Sequence, residues 1–316
     1  MSDRLQNYIG AALANLGICL PGDIHVLVKS RTSSAGRIWS ESIPRDRCHT
    51  SIITAETIID KDDGKNDVLL LTPEAHSLAA GLDWSCNMSH IVGGYDGGGF
   101  NNRCRIGMST TFTPMITVSG YGNIIANVYS QHGTAVGDYV GWLISGIRNR
   151  FHRVHFGGPM NAAQGGDGSY IGVHITGTEN YFYESHFGTN TIGRDEASPN
   201  VQLGAGTLTI FDHCHFHANL TDGDPLFLKV LNTSGYTMAW FIDCTFDAFS
   251  SNYAVAMTKA IECTGGHSCR LIFTPGCVFD NVTALSDATD DSFVSIPRTF
   301  STTTDTEALI NVLLAV

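Results

Sequence analysis

At 316 residues, with 43% hydrophobic content and 34 Gly, the chain carries enough apolar material for an ordered core and enough turn residues to break it often, which excludes a disordered or fibrous class. Its formal net charge of −12, with no Lys/Arg cluster against the trend, excludes a nucleic-acid partner, whose phosphates need a basic face, and disfavours an anionic membrane. Met1-Ser2-Asp3-Arg4-Leu5 lacks the charged-then-apolar design of an export signal, and no apolar run is long enough for a bilayer. Folding in a reducing cytoplasm is therefore expected, with the nine Cys as free thiols and only Cys263 and Cys269 spaced as a pair.

In chain order, Leu5, Tyr8, Ile9, Ala12 and Leu16 follow helical spacing, with Ser2 or Asp3 as cap, Gly17 as stop and Pro21 beyond. The pattern predicts a helix within residues 1–20 that caps an exposed core or docks on another subunit. Residues 21–97 are strand-like but irregular: Ile24–Val28, Ser51–Thr54, Val68–Leu71 and His90–Val92 are read as strands of the first coils. Residues 98–291 are regular, with longer loops expected at 157–168, 188–200 and 219–225. Residues 292–316 form a tail, a Thr/Ser/Asp stretch ending in Ala308–Val316, read as a cap or an assembly contact.

The regular region repeats. Short apolar strands end in Gly and reach Asn three residues later, as in Gly120 to Asn123, Gly146 to Asn149 and Gly177 to Asn180. A second strand closes on Phe156, Phe187, Phe216, Phe246 and Phe279, which by subtraction lie 31, 29, 30 and 33 residues apart. Within a unit the apolar residues fall two apart, so the unit is β and the period marks a solenoid. About thirty residues hold three short strands and three turns, one coil of a parallel β-helix. Two positions before the closing Phe stand Val154, Ser185, Cys214, Cys244 and Cys277, and five before it Phe151, Phe182, Phe211 and Phe241, with a slip in the last copy. Stacked in register, these columns become interior ladders about 4.8 Å apart, whereas His155, His186, His215, Thr245 and Val278 form an outward column. The Asn column is expected at sharp bends, where Asn tolerates left-handed backbone and bonds its own stack.

The segment Gly64-Lys65-Asn66-Asp67-Val68-Leu69-Leu70-Leu71-Thr72-Pro73-Glu74-Ala75-His76, followed by Ile91-Val92-Gly93-Gly94, resembles the opening of pectate-lyase-like β-helix proteins, with Glu74 where that family usually has Gly. With the repeats from Met115 to Phe279 it is similar in particular to the β-helix virion proteins of tailed bacteriophages. The resemblance implies a right-handed, single-stranded parallel β-helix with a short N-terminal helix. It also implies a virion location, other virion proteins (capsid or tail) as partners, a homo-oligomer on the pattern of virion trimers, and a host surface polysaccharide as ligand.

A β-helix does not by itself supply a function. The carboxylates Glu184, Asp212 and Asp243, on or beside the strands that lead to the closing Phe, are the candidates for acid, base or nucleophile on a polysaccharide, with Arg153 and His213 nearby and His186 and His215 as further catalytic candidates. His155, His186 and His215, at one column position, are the candidates for a shared cation. The polygalacturonase order of motifs is not reproduced: Gly266-His267-Ser268 precedes Asp290-Asp291, and no Arg-x-Lys element follows. Because these carboxylates and histidines also read as ordinary ladder residues, the leading expectation is a non-enzymatic structural component of a bacteriophage particle, a capsid decoration or short fibre, with no cofactor. The alternative is a polysaccharide depolymerase, a lyase or glycoside hydrolase.

Overall fold

The computed structural model describes residues 13–18, 22–33, 37–38, 43–61, 66–94, 104–107, 112–132, 139–231, 236–250, 255–264, 269–286 and 294–295. The strands associate into three long parallel sheets, A, B and C, and the chain visits them in the fixed order C, A, B, coil after coil. One such coil runs Val140–Ile144 in sheet C, Arg150–His152 in sheet A and His155–Phe156 in sheet B, before the next begins at Ile171–Ile175. Each sheet grows by parallel pairing of strands about one repeat apart, so the architecture is the right-handed parallel β-helix expected from the period.

Two aromatic ladders fill the interior. Phe151, Phe182, Phe211, Phe241 and Phe273 stack at 4.6, 5.0, 4.9 and 4.6 Å between ring centroids along sheet A. Phe156, Phe187, Phe216, Phe246 and Phe279 stack at 4.9, 4.7, 4.5 and 4.1 Å along sheet B. The slip in the last repeat is absorbed in the bend between Phe273 and Phe279, so Phe273 still sits on Phe241. Between the ladders, Ser185, Cys214 and Cys244 are fully buried, and each donates its hydroxyl or thiol to carbonyls, Cys244 to those of Phe211 and Ile242.

The Gly–Asn turn from sheet C to sheet A has two distinct causes. An added Cβ at Gly120, Gly146 or Gly177 would come 1.9 Å from a carbonyl oxygen of the preceding coil, so only Gly allows that approach. The Asn side chains are buried and bridge coils: Asn123 N–H donates to Asn149 Oδ1 at 2.9 Å, Asn149 N–H to Asn180 Oδ1 at 3.0 Å, and each Nδ2 donates to a carbonyl of the coil before. The left-handed residue is not the Asn itself but its predecessor by one, Arg148 (φ 58°) or Glu179 (φ 59°), because the Asn needs extended backbone to enter the strand.

Several irregular segments differ from their sequence reading. Ser51–Thr54, read as strand, opens the helix Ile52–Lys61, whose Ile52, Ala55 and Ile59 recur at helical spacing and bury against Leu27, Leu69 and Trp84 of the first coils. That helix does the covering assigned to the N-terminal helix. Of the latter only its end is described; Leu13, Leu16 and Ile18 pack instead with Ile43 and Cys48 on the outer face of sheet A, over Val26, Val68, Leu70, Val92, Ile124 and Ala126. The stretch 188–200, expected as a loop, is mostly strand, because His186–Arg194 pairs with the next coil through a bulge between Thr189 and Gly193. The 157–168 loop holds a short helix, Ala162–Gly165. Residues 1–12, Cys19, 265–268 and 296–316 lie outside the described residues, and with them most of the predicted N-terminal helix and the apolar tail.

The outer covering decides where a site can be. Sheet A is roofed over its first strands and open from Arg150 onward, where its outer columns read Arg150, Tyr181, Ile210, Trp240 and His152, Tyr183, Asp212, Ile242.

Candidate functional site

Sheet A passes into sheet B through a single left-handed residue in five successive coils: Asn127, Arg153, Glu184, His213 and Asp243, with φ between 47° and 57°. Side chains other than Gly, Asn and Asp in this region cost backbone energy, and here they occupy an exposed edge. The geometry turns the chain sharply and throws each side chain outward, so four chemically active groups stand in one column.

The column pairs along its length. Arg153 Nε lies 2.6 Å from Glu184 Oε2. Burial alone would raise the Glu184 carboxyl, but hydrogen bonds from Arg153 and Tyr183 outweigh it and hold its pKa below the ordinary value. His213 Nδ1 is 2.6 Å from Asp212 Oδ1, and Tyr181 donates its hydroxyl to the other oxygen, Oδ2, at 2.5 Å. Asp212 is thereby clamped from both sides and fixes the imidazole with Nε2 turned towards Asp243, whose Oδ2 is 3.9 Å away. The hydrogen bond to Asp212, reinforced by the charges of Asp212, Asp243 and Glu184, raises the His213 pKa. Thr274 donates to Asp243 Oδ1 at 2.8 Å and anchors the last carboxylate.

Glu184, Asp212 and Asp243 are thus brought to one corner, with His213 as the link between the two aspartates. Beside them the outer face of sheet A offers Tyr181, Tyr183 and Trp240 and a shallow open depression of about 530 Å³ lined by Arg148, Arg150, Glu179, Tyr181 and Ile210. Tyr181 belongs to both, as wall of the depression and as donor to Asp212.

The remaining candidates turn the corner onto the outer face of sheet B. His186 and His215 are register partners with stacked rings 4.9 Å apart. His155 precedes them in the column but points its Nε2 at the Gly188 carbonyl, 3.0 Å away, and is buried. His217 takes the third place beside His186 and His215, its ring 6.0 Å and 5.8 Å from theirs. The sequence did carry a signal for it: His217 lies two residues after His215 on a strand, hence on the same face. Tyr181 was equally legible, one residue from the inward Phe182.

No protein-family model matches the sequence, and no curated protein matches it. Among solved structures, a pectin methylesterase in complex with a hexasaccharide superposes with a TM-score of 0.54 at 12% identity, covering 88% of this chain and 81% of that one. A rice weevil pectin methylesterase gives 0.53 at 11% identity over 85% of this chain and 90% of that one. These likenesses establish the pectin-enzyme type of parallel β-helix as the fold. They also correct the leading expectation of a non-enzymatic virion component: these two solved chains, which share the architecture over most of its length, are pectin methylesterases and neither is a virion protein.

Proposed function

We propose that the protein is a carbohydrate-active enzyme that cleaves a polysaccharide by acid–base chemistry at the corner between sheets A and B. The observation that carries this is the clamp on His213: Asp212, itself held by Tyr181, orients the imidazole so that its free edge faces the Asp243 carboxylate. A proton carrier whose pKa is raised by the carboxylates that hold it is suited to protonate a leaving glycosidic oxygen near neutral pH. In a hydrolytic course, protonated His213 gives its proton to the leaving glycosidic oxygen as a water attacks the anomeric carbon and releases its proton to solvent, while Asp243, 3.9 Å from the imidazole and so on the same side of the bond, stabilises the imidazolium. Tyr181, Tyr183 and Trp240 on the open part of sheet A supply flat amphipathic faces for sugar rings.

The neighbours in fold are enzymes whose names place them on pectin, which supports the carbohydrate class without choosing the glycan. The test is incubation with neutral and uronate-bearing plant and bacterial polysaccharides, scoring new reducing ends and, separately, ultraviolet-absorbing unsaturated sugars. Turnover that falls roughly 10²- to 10⁴-fold in His213→Ala and Asp243→Ala supports the reading. Turnover untouched by both substitutions, or its absence on every glycan offered, overturns it.

A further inference from the structure

On the outer face of sheet B, around the corner from the carboxylates, we propose a binding site for a zinc-class divalent transition-metal ion, held by His186, His215 and His217 with a fourth position left for water or a sugar oxygen. It goes beyond the cleavage reading and stands without it.

One potential ligand nitrogen from each of the three side chains lies within 4.8 Å of the others. A tetrahedral ion with metal–nitrogen bonds of about 2.0–2.1 Å needs nitrogens about 3.4 Å apart, so small rotations of rings already half-buried on a rigid sheet complete the set. A stacked ladder alone accounts for His186 over His215, which are register partners. It does not account for His217, which stands in the next column. The register partner of His217 is Gly188, and that absence of a side chain is what opens the space across which the His217 ring lies parallel to His186, at 2°. An added Cβ at Gly188 would meet the His217 carbonyl at 2.2 Å and the Asn200 amide at 2.6 Å, so the position is closed to any larger residue.

The second layer has the chemistry of a metal site. Asp247, one coil further and in register with His217, places Oδ2 3.4 Å from His217 Nδ1. A carboxylate at one ring nitrogen fixes the tautomer and raises the basicity of the other, the arrangement that accompanies metal-ligating histidines. Imidazole-only sets suit Zn²⁺, Ni²⁺, Cu²⁺ and Co²⁺ and are poor for Ca²⁺ or Mg²⁺.

The experiment is titration of the chelator-treated full chain with Zn²⁺ and Co²⁺, followed by calorimetry and visible absorption. Expected are one equivalent of saturable binding, an intense Co²⁺ spectrum of tetrahedral type, and affinity lost by about 10²-fold or more in His215→Gln and His217→Gln. Asp247→Asn is expected to weaken binding by about 10- to 100-fold, the range for an outer carboxylate, while His174→Gln on sheet C leaves it unchanged. Should a variant fail to fold, side-chain NMR of the wild type decides: Zn²⁺ must shift the imidazole resonances of these three histidines. No saturable uptake, uptake that survives the triple His→Gln variant, or imidazole shifts confined to other histidines would overturn the site.

Discussion

Phe187 lies directly over Phe216, in strand register, with ring centroids 4.7 Å apart and planes 11° from parallel. Both rings are fully buried, and each also meets Phe211 of the neighbouring ladder edge-on, at 5.6 Å. Each ring is therefore packed above, below and at its side, and the solenoid's stiffness follows from that contact repeated in successive coils.

Replacing one rung should be costly because the coils above and below are tied by backbone pairing and cannot collapse into the gap. Phe216→Ala is expected to lower stability by about 3–5 kcal/mol, read from the urea midpoint at unchanged m-value. A loss under about 1 kcal/mol would show that the ladder is not under continuous packing.

Asn149 should matter through its hydrogen bonds alone. In Asn149→Ala the Asn123 amide and the Gly120 carbonyl both lose a buried partner, a cost of about 2–4 kcal/mol. Hydrogen exchange should localise the loosening to the Asn123 backbone amide, while the amide of residue 149, still bonded to Asn180 Oδ1, keeps its protection.

Two glycines separate close approach from backbone conformation. Gly146→Ala puts a methyl 1.9 Å from the Gly120 oxygen and is expected to prevent folding or to lower the melting temperature drastically. Gly206→Ala meets nothing within 4 Å but has φ of 75°, so only about 1–2 kcal/mol is at stake. Equal effects would contradict the steric account of the C-to-A turn.

Acid should destabilise the fold in a definite window. Burial lowers the pKa of His49, His90 and His155 to about 4 and of His132 and His186 to about 3, from 6.5. Between these values the unfolded chain binds more protons, so the stability these neutral rings contribute is complete above pH 6.5 and is lost as pH falls towards 4 and then 3. Thermal melts at pH 7, 5.5 and 4.5 should decline steadily, and a flat profile would refute the neutral buried histidines.

His213 runs the other way. Its folded pKa is raised by Asp212, so its contribution is complete below 6.5 and fades as pH rises through the folded value. NMR titration should place His213 above 6.5 in the wild type and return it towards 6.5 in Asp212→Asn. The alkaline limb of any glycan cleavage should move down with it.

The period of about thirty residues, the strand alternation and the three interior columns were all readable along the chain, because ladder positions repeat the same side-chain chemistry at fixed spacing. Glu184, Asp212 and Asp243 were equally visible as carboxylates near a repeated strand. Their association was not, since it runs through His213 and depends on four consecutive corners adopting left-handed backbone with no Gly to announce it. The helix Ile52–Lys61 escaped notice because its first three residues, Ile-Ile-Thr, are β-branched, and only burial against the first coils chooses between the two periods.

Local periodicity and composition alone determined that this polypeptide coils into a β-solenoid, because every coil must bury the same face against the next and therefore repeats it in sequence. Which outer face stays open, which histidine joins which, and where the acidic corner finds its proton carrier were decided only in three dimensions. Those relations join residues of different coils and different sheet faces, and no spacing along one strand encodes how side chains lean across a neighbouring glycine or a sharp bend.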